Sequence, residues 1–506
     1  MKKINILLYF VLFVVIGNAQ KPNWQNLDLK KDSVFGISTE KAYSEILVHK
    51  KEFTPVVVGV IDSGVDTSHE DLKTVIWTNP NEIPGNGIDD EKDGYIDDVH
   101  GWNFIGGPHG NIKQENLELV RLIRAGKGDS AMMREYTKQL NTDHQIVENV
   151  TAYMKILDAI VSKINKDTPT VADFRAYQPS NPTEEKVRNK MIEIFGYNPD
   201  YTAYHDHLAE YQKHFQDELE YSLNMNFNPR PVVGDDTLNL RERYYGNNDV
   251  TGPGALHGTH VSGIIAAVRN NDTGIQGIAD HAWILSIRTV PEGDERDKDV
   301  ANAIRYAADH GAKVVNMSFG KAYSPDKKIV DEAVKYAMGK DVLLVHAVGN
   351  EGKNLDHERN FPSRVYADGS GMADAWIEVG ASGWDNDSTL VAGFSNYGKT
   401  SVDVFAPGEK LLSSVPGSKY RVESGTSMAS PVVAGLAALI REYFPKLTAV
   451  EVKEVIMHSV VKPLQNIIAR DGSQRLSVPF SEICISGGIV NAYQALLLAE
   501  KINAKK

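Results

Sequence analysis

From residue 284 onward the chain alternates short continuous apolar runs with longer amphipathic ones, and this rhythm constrains its fold more than any other feature. Residues 284–290, 313–319, 342–348 and 377–381 read as strands; 300–310, closed by Gly311, and 329–338 read as helices. Continuous rather than alternating hydrophobicity marks strands covered on both faces. The strand–helix–strand succession predicts a mainly parallel sheet between layers of helices, an α/β architecture. In such a sheet, ligands gather at the carboxyl ends of the strands. An earlier apolar run, 54–61, ends in Asp62-Ser63-Gly64, and the strand 342–348 leads to Asn350.

Three segments carry groups that could react. Gly425-Thr426-Ser427-Met428-Ala429-Ser430-Pro431 precedes an apolar, small-residue helix, 432–440, whose composition demands burial. A serine at a helix N-terminus meets free backbone N–H groups and a dipole that favours negative charge, which suits a nucleophilic alkoxide. It is also an ordinary N-cap residue. His257-Gly258-Thr259-His260 opens a second apolar helix. Two histidines three apart could bind metal, but no third ligand follows at a usual spacing. One imidazole as general base is the better reading. Asp62 stands where a buried strand meets a glycine turn, and burial there demands a partner. That partner is either an Asx turn or a histidine whose tautomer needs fixing.

In the order Asp, His, Ser, these segments resemble the subtilase superfamily of serine peptidases. Val345-His346-Ala347-Val348-Gly349-Asn350-Glu351-Gly352 and Val315-Asn316-Met317-Ser318-Phe319-Gly320 resemble it too. So do Ser395-Asn396-Tyr397-Gly398, Ala406-Pro407-Gly408 and Gly487-Gly488-Ile489-Val490-Asn491-Ala492-Tyr493. The resemblance implies a three-layer subtilisin-like fold with a mainly parallel central sheet. It implies a secreted serine endopeptidase acting on proteins or peptides through an acyl-enzyme. Ser427 would be the nucleophile, His257 the base and Asp62 its orienting carboxylate. Asn350 and the backbone N–H of Ser427 would form the oxyanion hole. Ser318, Phe319 and Gly320 would face Ala347, Val348 and Gly349 across the substrate pocket, with Phe319 narrowing it.

The likeness breaks between the Asp and His motifs. Residues 111–250 carry apolar sets at helical spacing, among them Ile146, Val150, Met154 and Leu157, and Tyr201, Tyr204, Leu208 and Tyr211. They predict an inserted α-helical region whose stripes are packing faces. The peptidase domain is then expected at 54–110 and 251–498. A short polar segment, 20–53, precedes it and a tail, 499–506, follows it. Lys2 and Lys3, the apolar stretch 6–16 and Gly17-Asn18-Ala19 read as a signal peptide, 1–19, and predict a periplasmic or extracellular location without stable membrane insertion after cleavage.

Between residues 86 and 98, oxygen ligands fall at alternate positions. Asp89, Glu91, Asp93 and Asp97, with the Tyr95 carbonyl, could wrap a structural calcium ion, as in the first part of an EF-hand loop. His100 stands where that loop would end in glutamate, and a solvated acidic turn is the alternative. The formal net charge of −13 argues against a nucleic-acid partner. The single cysteine, Cys484, excludes an intrachain disulfide and reads as a small buried hydrophobe. No organic cofactor is expected.

Overall fold

A computed structural model describes residues 21–196, 200–471 and 474–506. The expected signal segment, 1–19, lies outside the described residues. Seven parallel strands form the central sheet: β1 (Val56–Asp62), β2 (Gly101–Asn103), β3 (Ala282–Arg288), β4 (Val314–Met317), β5 (Leu343–Ala347), β6 (Trp376–Ser382) and β7 (Val404–Pro407). Their order across the sheet is β2-β3-β1-β4-β5-β6-β7. β1 is an interior strand, with Asp62 paired to Arg288 on one side and Ile61 to Met317 on the other.

Side chains alternate along each strand, so the two faces of the sheet feed two different cores. Val58 and Val60 pack with the helices Leu256–Ala266 and Thr426–Tyr443. Ile61, Leu285 and Val315 pack with the helices Asp297–Asp309 and Lys327–Gly339 on the opposite face. Burial on both faces explains why these strands read as unbroken apolar runs. The helix Thr426–Tyr443 runs through the core, and Ala429, Ala434, Gly435, Ala437 and Ala438 let its backbone come close to the sheet.

The segment 21–53 is more than a polar lead-in. Trp24, Phe35, Ile37, Ala42 and Leu47 are buried, and Tyr43 donates to the Ile278 carbonyl at 2.9 Å. These apolar residues lack periodicity, so their burial left no pattern to read. The expected tail is also shorter, because the helix Ala492–Asn503 continues past 499 with Ala499 buried.

Residues Leu119–Phe227 form a compact unit of their own. Its helices are Ser130–Ile164, Val171–Ala176, Pro182–Phe195 and Tyr201–Asp217. Asp129, Thr170, Asn181 and Asp200 cap them with side-chain oxygens. Tyr153, Leu157, Phe174, Met191, Phe195 and Leu208 make its core, which accounts for much of the apolar striping. The unit is narrower than 111–250. Residues from Asn228 belong with the sheet, where Arg230 reaches both Asp299 oxygens at 2.7 Å and Asp235 at 2.5 Å. Arg230 and Asp299 are both buried. Among the described residues no helix is long and apolar enough to cross a membrane.

Arg230→Ala takes the guanidinium from two buried carboxylates, leaving Asp235 paired with Lys298 and Asp299 with the Tyr245 hydroxyl. We expect a loss of roughly 3–5 kcal/mol, read as a lowered urea midpoint at unchanged m-value.

Candidate active site

Asp62 ends β1 with its carboxylate 1% exposed. Oδ1 accepts from its neighbour's backbone, Ser63 N, at 2.7 Å and from His257 Nδ1 at 2.7 Å. His257 is the second residue of the helix Leu256–Ala266. That helix packs directly on the turn after β1 because residue 258 is glycine: a Cβ there would lie 2.2 Å from the Gly64 carbonyl. The imidazole thus donates from Nδ1 to the carboxylate and keeps an Nε2 lone pair, on a side chain 38% exposed. Burial pulls its pKa down, but the charge and hydrogen bond of Asp62 outweigh this and leave it above the ordinary value of 6.5, with Glu423 adding to the rise.

His260, the other histidine of the motif, has a different task. Its Nε2 faces the carbonyls of Leu411 and Arg421 at 3.2 and 3.1 Å, and burial pushes its pKa down to about 4. It is a neutral strut between the helix and the hairpin formed by β8 (Leu411–Val415) and β9 (Lys419–Glu423).

Ser427 opens the helix Thr426–Tyr443 after Gly425. Four residues on, Pro431 has no N–H, so the Ser427 carbonyl lacks its intrahelical donor. Ser318 fills the gap, donating Oγ–H to Ser427 O at 2.9 Å, while Ser427 Oγ donates to Ser318 O at 3.2 Å. Among the described residues no hydrogen bond joins Ser427 to His257. Ser318 is held in turn by Asn316 Nδ2 at 2.9 Å, and Asn316 Oδ1 accepts from Ser430 at 2.6 Å.

Asn350 is oriented by its oxygen. Oδ1 accepts from Thr426 N at 2.8 Å and Thr426 Oγ1 at 3.0 Å, which turns Nδ2 away as a donor. A Cβ added to Gly425 would lie 3.6 Å from both Asn350 Nδ2 and Ser427 N. Two donors therefore border the same small space, and a glycine at 425 keeps side-chain atoms out of it. This arrangement can receive an oxyanion.

The segments after β4 and β5 lie side by side, since Met317 pairs with His346. The ring of Phe319 is largely buried in the core cluster that holds Tyr366 and Trp376. Val348 is buried too, so these walls present mostly backbone. Sequence reading missed Asn360, whose Nδ2 donates to Val348 O at 3.2 Å and which sits where a Cβ on Gly320 would be. It also missed His346, buried with Nδ1 2.8 Å from Glu378 and Nε2 2.9 Å from Phe319 O. A histidine inside an apolar strand was the available signal.

The acidic loop is arranged differently from the expected ligand set. Asp97 accepts from the backbone N–H groups of Gly85, Asn86 and Gly87 at 2.8, 3.1 and 2.9 Å, so it caps the loop. The ring of Tyr95 packs against Trp102 and Tyr306. The carboxylates that converge are Glu82, Asp89 and Glu91 in one group, and Glu91, Asp93 and Asp98 with His310 in another. Glu82 and Glu91 each have one buried carboxylate oxygen without a hydrogen-bond partner. Burial, then the neighbouring Glu91, push the Glu82 carboxyl up to about 7. His310 sits 3.0 Å from Asp93 and 3.1 Å from Asp98; burial opposes its charge, but the two carboxylates raise it to about 10. An imidazolium thus already supplies the cation of the second group.

Comparison with known proteins gives a consistent picture. The family model described as "Subtilase family" matches residues 54–478. The chain is 44% identical over 185 residues to "Thermophilic serine proteinase" of Bacillus sp. (strain AK1), covering 36% of this chain and 42% of that one. It is 41% identical over 195 residues to "Thermitase" of Thermoactinomyces vulgaris, covering 38% and 64%. It is 36% identical over 204 residues to "Subtilisin BL" of Lederbergia lenta, covering 40% and 69%. The matches span less than two-thirds of the first two relatives.

The His257 imidazole should titrate above 6.5 by NMR. In Asp62→Asn the larger raising influence is gone while burial and the smaller pull of Glu423 remain, so the titration should move to lower pH; an unmoved curve would refute the assigned cause.

Proposed function

This chain belongs to the subtilase family, and from that premise we propose that it is a serine endopeptidase, with Ser427 as nucleophile, His257 as general base and Asp62 as the carboxylate that orients it. The observation that carries this reading is the 2.7 Å bond from His257 Nδ1 to a buried Asp62, which leaves Nε2 basic and outward. On this reading Ser427 Oγ gives up its bond to Ser318 O for one to His257 Nε2 when substrate is attacked. The hydroxyl then attacks the peptide carbonyl as its proton passes to His257. The developing oxyanion is received by Asn350 Nδ2 and Ser427 N. Return of that proton to the leaving amine gives the acyl-enzyme, and water hydrolyses it by the same relay. Asp62 stabilises the imidazolium in both halves.

Peptide or protein chains are the substrates on this reading. The segments 318–320 and 347–349 offer backbone as walls. Lys2, Lys3, the apolar stretch 6–16 and Ala19 support export to the periplasm or the extracellular space.

Glu82, Asp89 and Glu91 fit a divalent cation. All donors are oxygens, and burying partnerless carboxylate oxygens together is costly without a counter-charge. Calcium is one hard cation with that preference, and when bound it would supply charge neutralisation that holds the loop.

Ser427→Ala should lower casein hydrolysis by at least about 10⁴-fold. Asn350→Ala should lower kcat by about 10²–10³-fold with little change in KM. Wild-type-like cleavage by the serine variant would end the proposal. Calcium should raise the melting temperature, and Glu82→Gln should blunt that rise; equal melting in calcium and in chelator would remove the ion.

A further inference from the structure

Arg288 ends β3 directly beside Asp62 and is 1% exposed. A buried guanidinium is normally met by a carboxylate. Here its hydrogen-bond partners are all neutral oxygens. Nε donates to Ser63 O at 3.0 Å, Nη1 to Asn103 Oδ1 at 3.1 Å, and Nη2 to Pro253 O at 3.0 Å and to Ile112 O. Ser63 follows Asp62, and Pro253 leads into the helix that carries His257. Ile112 and Asn103 lie on the chain before the helical unit, whereas Pro253 lies after it. One side chain therefore ties together four stretches across the 195-position separation of Asp62 and His257.

Two further observations point the same way. The residues after Arg288 grip the backbone of Asp62 itself: Thr289 N and Val290 N donate to Asp62 O at 2.8 and 3.1 Å. Gly252 makes room for the guanidinium, since a Cβ there would lie 2.3 Å from Arg288 Nε. A second tie runs alongside, from Ser63 Oγ to Gly254 O at 2.9 Å. Asparagines complete the closure. Asn103 Nδ2 donates to Asn111 Oδ1 at 2.8 Å and to Asn247 Oδ1 at 2.9 Å.

We propose that Arg288 is a positioning residue for the Asp62–His257 pair, acting as a staple of four hydrogen bonds that fixes the turn after Asp62 against the entry to the His257 helix. The proposal rests on the peptidase reading. A planar fork suits the task because several acceptors from different segments must be met at fixed angles; an ammonium cannot reproduce that geometry. Loss of the staple lets the carboxylate and imidazole drift, and displacements of about 1 Å in such pairs can cost up to about 10²-fold in rate.

The test uses the full chain, with the concentration of competent sites measured by stoichiometric labelling of Ser427 with a fluorophosphonate. In Arg288→Gln, kcat per labelled site should fall roughly tenfold or more while KM stays within about twofold. The acid limb of kcat/KM should move to lower pH, because a loosened Asp62 supports the imidazolium less. Arg288→Lys should fall between. If Arg288→Gln does not fold, Gly252→Ala displaces the guanidinium without deleting it and is measured in the same way. A role in folding alone would lower the melting temperature and the labelled fraction but leave kcat per site and the acid limb at wild-type values; that result in the folded variants overturns the proposal. Wild-type protein that takes up no label would instead overturn the peptidase reading, and the proposal with it.

Discussion

A carboxylate held out of water against an imidazole is the interaction around which this structure is arranged. Asp62 has almost no exposure, so its charge must be answered from within the protein, and His257 answers it. That requirement explains several otherwise unrelated choices. The turn after β1 brings a backbone N–H onto the same oxygen, from Ser63. Gly258 removes the side chain that would keep the helix away. The outcome is an imidazole whose proton sits on the inner nitrogen and whose outer nitrogen is free to accept another.

The Ser427 end follows a different logic, in which a defect in a helix is put to use. Pro431 deprives the Ser427 carbonyl of its helical donor, and the vacancy is filled by Ser318 from the end of β4. The serine helix is thereby locked to the carboxyl end of β4, the middle strand of the sheet. A chain of buried polar side chains, Ser430, Asn316 and Ser318, carries that lock inward. Thr426 then fixes Asn350 by its oxygen, so the orientation of the amide is decided one residue away from the nucleophile. Fully satisfied polar networks of this kind resist rearrangement because every broken bond would leave a buried group without a partner.

How much of this was legible in the sequence depends on the range of the signal. Five of the seven sheet strands announced themselves because two-sided burial writes an apolar run, while the short β2 and β7 did not, and Asp62, His257, Ser427 and Asn350 stood in short motifs at element ends. The helical unit showed through its spacing, while its limits did not, because residues 228–250 are held to the sheet by Arg230 and not by any periodicity. The acidic loop misled for a similar reason. Alternation placed Asp97 among the ligands, but a left-handed backbone at Asp97, φ 53°, turns its carboxylate to three amides, and Glu82 and His310 enter from outside the motif. Phe319, two residues past the end of β4, turns its ring into the core, which the motif alone did not reveal. Contacts made by residues far apart in the chain leave no local trace.

The long interruption between Asp62 and His257 is tolerable on energetic grounds. Loop-closure entropy grows only logarithmically, by about 0.6 kcal/mol for each doubling of the loop. A stretch several times longer than a short connection thus costs only one or two kcal/mol more, less than the loss from breaking one buried charge pair. The cost falls further because residues Leu119–Phe227 pack around a core of their own. What an insertion does threaten is precision, since two segments that must meet within tenths of an ångström are no longer joined by a short tether. Bonds that cross directly between the flanking segments restore it. The chain therefore carries a buried guanidinium with neutral acceptors where the two ends come together, and the accuracy of the site depends on the closure at that neck more than on the length of chain beyond it.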